Sequence, residues 1–345
     1  MPNPADKQKL ARRHLERVQA AWDTPTDWDD LSIYGLYCLE AAVEAAATHV
    51  GLMTSKKHWE KADIAGELHK KHGLPDVGQL LRDLNDARKA AKPGCRGRCL
   101  RDRAIRGCCG TASGRETLTM MEKSLSLTER ASDQVLRWPT SRSRNWTSTF
   151  LDSAERNGNI LAVVAVGSAV RPEVPSADID LVVICGDPSL LKAIPPLEVD
   201  LRAYPAAKVG SQLKSGHDML GWAVRFGRVL YQRNNCWENI RNSWDHRLPL
   251  PSSKLSRERA AAAHRHLNTV VQFGDVDAAH EQALSYLTHL ARAELLDGGV
   301  YPASRPELAG QLRVIGNFRL AEWLDRLLNG DLSELSQFGS LSKLF

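Results

Sequence analysis

Ile160-Leu-Ala-Val-Val-Ala-Val166, Gly167-Ser-Ala-Val-Arg-Pro-Glu-Val-Pro-Ser-Ala177, Asp178-Ile-Asp-Leu-Val-Val-Ile-Cys185 and Leu197-Glu-Val-Asp-Leu-Arg-Ala-Tyr204 decide how this chain is read. Short β-branched runs bounded by Gly, Pro and Ser are the signature of neighbouring strands in one buried sheet. Side chains alternate along a strand, so Asp178 and Asp180 project from the same face. If the next strand pairs alongside, Asp200 joins them and three carboxylates converge on one point.

Carboxylates pointing out of such apolar runs need a reason. Burying them unpaired costs several kcal/mol, so they require a cation or hydrogen-bond donors. Hard divalent cations such as magnesium take carboxylate oxygens together with substrate phosphates. A Gly-Ser turn next to the cluster, Gly167-Ser168, supplies backbone N–H groups and a hydroxyl for phosphate oxygens. The bland reading is a solvated strand end, since an isolated Asp-x-Asp is common. The apolar flanks Leu181-Val-Val-Ile184 and Val199/Leu201 argue against it.

The block Gly167-Ser168, Arg171, Ser176, Asp178-x-Asp180 with Asp200 resembles the DNA-polymerase-β-like nucleotidyltransferase superfamily, in its minimal and antibiotic nucleotidyltransferase branch. The pattern of that branch is Gly-Ser-x-x-Arg-Gly, a short loop, Ser-Asp-x-Asp and one more Asp on a later strand. Two departures occur: Pro172 stands where Gly follows the Arg, and Ala177 separates Ser176 from Asp178 in a loop one residue shorter. Both reshape the loop; neither removes an acidic residue. The resemblance spans about residues 145–235. It implies an α+β fold, with a short mixed sheet and helices as a polymerase-β-like core between all-helical flanks. It also implies magnesium on Asp178, Asp180 and Asp200, and an NTP, ATP first, held by Gly167, Ser168, Arg171 and Ser176. A copy of the fold without turnover is the competing outcome.

Composition sets outer limits. The chain has 345 residues, 43% hydrophobic and 25% charged, with a net charge of +5. Such length suggests two or three domains. No run approaches 18 uncharged apolar residues, so no membrane span is expected. The N-terminus lacks an apolar stretch of the secretory kind. An odd count of seven cysteines, with Cys38, Cys185 and Cys236 in apolar or helical settings, points to a reducing cytoplasm. The modest positive charge permits an anionic substrate, and the absence of a basic face interleaved with aromatics disfavours nucleic acid.

The flanks divide as follows. Residues 1–91 read as helical: Lys7–Trp22, a helix capped by Asp27 or Asp29 and stopped at Gly51, then about 57–72 and 77–91. They resemble the HEPN helical domain, often fused to or encoded beside minimal nucleotidyltransferases, without its Arg-to-His ribonuclease spacing; a docking or dimerisation module is the preferred reading. Residues 92–145 open with four cysteines and five arginines in eighteen positions, 92–109. They read as a basic linker or a junction between two once-separate reading frames, since Met120-Met121 looks like a fresh start. Zinc on Cys95, Cys99, Cys108 and Cys109 is the minor alternative, because adjacent thiolates are awkward in a tetrahedral site.

Residues 146–250 hold the catalytic unit, with a helix over Trp146–Arg156, and a helix and short strand between Gly216 and Tyr231. Arg225 on that helix is a candidate phosphate ligand, although such an Arg is more often a surface residue. Residues 251–345 return to helix, about 257–273 and 277–296, with a turn capped by Ser304 ahead of Pro306. They resemble the helical domain that shapes the acceptor pocket in small-molecule nucleotidyltransferases. Arg259 and His264 match the HEPN ribonuclease spacing, a coincidence easily reached by chance. His217, His280 and His289 share no ligand spacing.

The expected activity is therefore transfer of a nucleoside monophosphate to a hydroxyl of a small molecule or protein. The alternative is an antitoxin-like or scaffold protein that pairs with a HEPN-type partner, or with itself, and turns nothing over.

Overall fold

A computed structural model describes residues 3–22, 27–55, 57–90, 135, 137–171, 178–196 and 198–331. Ser176, Pro172, Ala177, the four cysteines between 95 and 109, and nearly all of the 92–145 segment up to residue 134 lie outside them. The described residues form twelve α-helices and one four-stranded sheet, an α+β architecture with helices on either side of the sheet in sequence. They fall into two compact units, one within Met1–Leu118 and Ala261–Tyr286, the other within Thr119–Ala260 and Leu287–Asp331. Residues 251–331 thus contribute to both.

The first unit is helical. It contains α1 (Pro4–Trp22), α2 (Trp28–His49), α3 (His58–His72) and α4 (Gly78–Ala90). Asp27 settles the start of α2, its carboxylate accepting from the backbone N–H groups of Asp29 and Asp30 at 3.1 Å each, as an N-cap should. The helix ends at His49, ahead of Gly51, whose φ of +77° a side chain would resist. Charged side chains are buried between these helices and are matched. Lys61 reaches Glu40 at 3.1 Å and Glu44 at 2.6 Å; all three side chains are buried. His58 binds Glu40 and also Glu281, 3.1 Å away. His14, fully buried, meets Asp275 at 2.8 Å among the rings of Tyr34, Tyr37 and Phe273.

The second unit carries the sheet. Its elements are α5 (Ser141–Arg156), β1 (Ile160–Val166), β2 (Ile179–Cys185), β3 (Val199–Pro205), α6 (Ala206–Lys214), α7 (Asp218–Phe226), β4 (Arg228–Gln232) and α8 (Cys236–Trp244). Strand order is β3-β2-β1-β4. β1 runs antiparallel to β2 and β4, while β2 and β3 are parallel. β1 and β2 are the inner strands, which is why they are apolar almost throughout: Val163, Val164, Leu181, Val182 and Val183 are all fully buried. Both faces of these strands must be covered for such continuous apolar runs to be stable. Two long helices, α9 (Ser253–Phe273) and α10 (Val276–Asp297), precede α11 (Leu308–Val314) and α12 (Phe318–Leu328).

Several boundaries differ from the sequence reading. α5 begins at Ser141 rather than Trp146, because Thr140 and Ser143 form a reciprocal capping box that starts the helix earlier. α6 and α8 were not anticipated; each has nine residues, too short for strong periodicity. α6 nonetheless buries Val209 and Leu213, one turn apart. The Ser304 turn forms as expected, as a one-turn 3₁₀ segment with Glu307 completing its capping box.

Candidate active site

β2 and β3 lie in register with Asp180 opposite Asp200. Directly paired residues of adjacent strands project from the same face, so two carboxylates stand side by side, each half-buried. Asp178 sits one residue ahead of β2, half-buried as well. The strand reading therefore holds for Asp180 and Asp200, and the third acid lies just outside the sheet.

Arg202, two residues beyond Asp200 on the same strand face, is the residue that sequence reasoning missed. Its Nη2 donates to Asp200 Oδ2 at 2.7 Å. Burial opposes the charge on Arg202, but the hydrogen bond to Asp200 and the charges of Asp200 and Asp180 outweigh it and raise its pKa above the ordinary value. A guanidinium thus holds the positive place among these acids. The alternation Asp-Leu-Arg was the signal, since residues two apart on a strand share a face. Glu198 was also passed over: it is fully buried and accepts from Thr140 Oγ1 at 2.7 Å.

The turn after β1 explains its glycine. Gly167 has φ +79° and ψ −159°, a region open essentially to glycine alone. A Cβ there would stand 2.6 Å from Asp180 Oδ2. The missing side chain is the space the Asp180 carboxylate occupies, so the Gly-Ser turn and the acidic strand are fitted to each other. A 3₁₀ turn over Ser168–Val170 follows.

The other expected ligands are placed differently. Arg171 turns to Glu307: its Nε lies 3.1 and 3.0 Å from the two carboxylate oxygens. Its guanidinium also stacks 4.9 Å above Phe226. The hydrogen bond to Glu307 raises the pKa of Arg171; burial works against ionised Glu307, but Arg171 and Ser304 hold it below the usual range. Arg225 lies over Phe226 and Tyr301, 5.8 and 5.4 Å from the ring centres. Arg259 is engaged by Asp218 at 3.0 Å, not by His264. His217 caps α7, its Nδ1 accepting from the Leu220 N–H at 3.3 Å; burial lowers its pKa, which keeps the capping lone pair available.

Oxygen donors of this kind suit a hard divalent cation, and Asp180 and Asp200 are held rigidly by the sheet. Among the described residues, however, no group of three or more His, Cys, Asp or Glu side chains is gathered as a metal site. The donor chemistry fits, and Arg202 engages one of the three acids, Asp200. The described cysteines, Cys38, Cys185 and Cys236, are free thiols, each with its pKa raised by burial. No described helix is long and apolar enough to cross a membrane.

The fold and site together define an α+β protein with an acid-bearing mixed sheet and a glycine turn fitted against one of the acids. No protein-family model and no curated protein matches the chain. A solved structure that it resembles is the crystal structure of a nucleotidyltransferase-like protein from Exiguobacterium sibiricum, at 18% identity and a TM-score of 0.27, covering 56% of this chain and 77% of that one. A likeness so faint carries no argument about the site, which stands on its own geometry.

Proposed function

We propose that the sheet unit is a nucleotidyltransferase, moving a nucleoside monophosphate from an NTP to a hydroxyl of a small molecule or protein. The observation that carries this reading is the fit of Gly167 against Asp180 with Asp200 in register beside it. Strand-end acids that serve only solubility do not need a glycine cut to their shape.

In this reading the backbone N–H groups of the Gly167-Ser168 turn and the Ser168 hydroxyl hold β- and γ-phosphate oxygens. Asp178, Asp180 and Asp200 would hold magnesium, which when bound supplies charge neutralisation at the phosphates. The acceptor hydroxyl attacks the α-phosphorus, the bond to the bridging oxygen of the β-phosphate breaks, and pyrophosphate leaves. Asp200, on the edge strand, orients the acceptor oxygen and assists departure of its proton. Arg202 releases Asp200 when nucleotide and cation arrive, so that charge is balanced before and after loading. The helical unit serves docking, to a HEPN-type partner or a second copy.

Engagement of Asp200 by Arg202 also favours a second reading, an interaction protein of the same fold without turnover. Incubation with magnesium and ATP labelled at the α-phosphate separates the two. Label transferred to an added hydroxylated acceptor, or to the protein, supports the enzyme. Label that stays entirely in ATP, with an acceptor panel and cell extract supplied, contradicts it.

A further inference from the structure

On the other side of β1 from the acids lies a cavity of about 360 Å³, whose lining includes Arg171, Arg225, Phe226, Arg228, Arg241 and Asp245. The register fixes the arrangement. Val166 pairs with Asp180 on β2, while the neighbouring Ala165 pairs with Arg228 on β4. The acids and the arginines thus flank the end of β1, with β2 and β4 about 10 Å apart across it. None of the three aspartates lines the cavity, nor do Gly167 and Ser168.

Four arginines line this concavity with one acidic residue, Asp245. Arg171 is already matched by Glu307. Arg225, Arg228 and Arg241 have no carboxylate partner among the described residues. Phe226 is an aromatic platform under Arg171 and Arg225, which limits how far two of the four forks can stray. Like charges gathered around a concave surface repel one another and raise the local concentration of anions. Guanidinium forks match the oxygens of phosphate in pairs. The volume lies at the small end of ligand sites, roughly 300–1,000 Å³, with room for a phosphate group and the small molecule that carries it.

We infer that this cavity binds the phosphate group of a second, non-nucleotide ligand, which makes the acceptor of the proposed transfer a phosphorylated small molecule. The inference rests on the proposed function for the word acceptor, and on the cavity alone for the phosphate. A triphosphate held by the turn at the end of β1 and by the acids on β2 and β3 already has its place, and the arginines lie on the opposite flank.

Binding of inorganic phosphate and of magnesium–ATP to the full chain, followed by calorimetry and phosphorus NMR, tests the site without requiring turnover. In the double variant Arg228→Ala/Arg241→Ala, phosphate affinity falls at least about tenfold, the scale of lost charge-assisted hydrogen bonds, while ATP affinity is unchanged. In Asp180→Asn, phosphate affinity is retained. Both arginines are exposed, so the double variant folds; Arg228→Lys/Arg241→Lys, which keeps the charge but not the fork, gives an intermediate loss. Phosphate affinity equal in wild type and double variant overturns the site. ATP affinity falling in step with phosphate also overturns it, because the arginines then serve the nucleotide tail. Failure of ATP to bind any form sinks the proposed function, while phosphate binding lost with the arginines still supports the cavity.

Discussion

Two sets of acids, the buried Glu40 and Glu44 of the helical unit and the half-buried Asp200 of the sheet unit, are held differently. In the helical unit Glu40 and Glu44 share Lys61, and each has a further partner, His58 of the same helix as Lys61 for Glu40 and Lys7 of α1 for Glu44. Glu44 is thereby held from two helices, α1 and α3. In the sheet unit, Asp200 is held by Arg202 of its own strand. Releasing that contact requires one side chain to rotate and leaves the backbone in place. The network of Lys7, Glu40, Glu44, His58 and Lys61 spans three helices, whereas the Arg202–Asp200 ion pair joins two residues of one edge strand. The first reads as structural, and the second belongs to the proposed site.

The largest expected effect falls on the closed network. Lys61→Ala leaves Glu40 and Glu44 buried with too little positive charge, and costs about 3–5 kcal/mol. Denaturant unfolding of the full chain measures this; a loss below about 1 kcal/mol would show the network to be solvated and erase the contrast.

Next comes the glycine. Gly167→Ala must enter a conformation that costs about 1–3 kcal/mol, and its Cβ must displace the Asp180 carboxylate, 2.6 Å away. Stability falls by that amount, and nucleotide binding falls with it. A variant that binds nucleotide as wild type does would separate the turn from the acids.

Arg202→Gln is a smaller and more pointed test. It removes the internal cation from between Asp180 and Asp200, so the apo protein is destabilised by about 1–3 kcal/mol, the scale of one lost charged hydrogen bond. Added magnesium recovers the loss more fully than in wild type. If magnesium has no effect on the melting of this variant, the acids do not form a cation site.

The smallest effect is a pH dependence. His217 titrates below its ordinary value, near 6.5 in the unfolded chain. The unfolded state therefore binds the proton first, and stability is lost as pH falls from about 6.5 through the folded value. Protonation also removes the lone pair that caps α7. His217→Asn, which keeps a capping acceptor, flattens this slope. The closed network adds its own acid limit: although burial opposes ionisation, His58 and Lys61 hold Glu40 below the carboxylate range. Its contribution is present above about pH 4.3 and is lost as pH falls through the folded value.

What was legible in the sequence follows from the range of the forces involved. The three strands and the Asp180–Asp200 pairing were readable because alternation and apolar runs are local signals. The capping roles of Asp27 and Ser304 were readable for the same reason. Arg202 was within reach of the same two-residue rule and was overlooked. The engagement of Arg171 by Glu307 was out of reach, since the partners stand 136 residues apart and meet only through tertiary packing. The arginine cavity was hidden likewise, being assembled from the turn after β1, α7, β4 and α8. Of its members, Arg171 and Arg225 had drawn notice, each as a candidate phosphate ligand and not as part of a cavity. Asp178 ends just ahead of β2 because residue 179 is where pairing with β3 begins, a boundary that propensity does not set.

The central claim is that Asp200 is a working acid of a transfer site. Asp200→Asn keeps the side chain's size and its ability to accept from Arg202, and removes the charge that would hold a cation and orient the acceptor. Nucleotide affinity and the rate of label transfer from α-labelled ATP should be measured for this variant beside wild type. The account predicts binding within about threefold and transfer lower by about two to four orders of magnitude, the mark of an interaction made mainly in the transition state. Transfer at the wild-type rate would contradict it, leaving Asp200 as a strand-edge partner for Arg202.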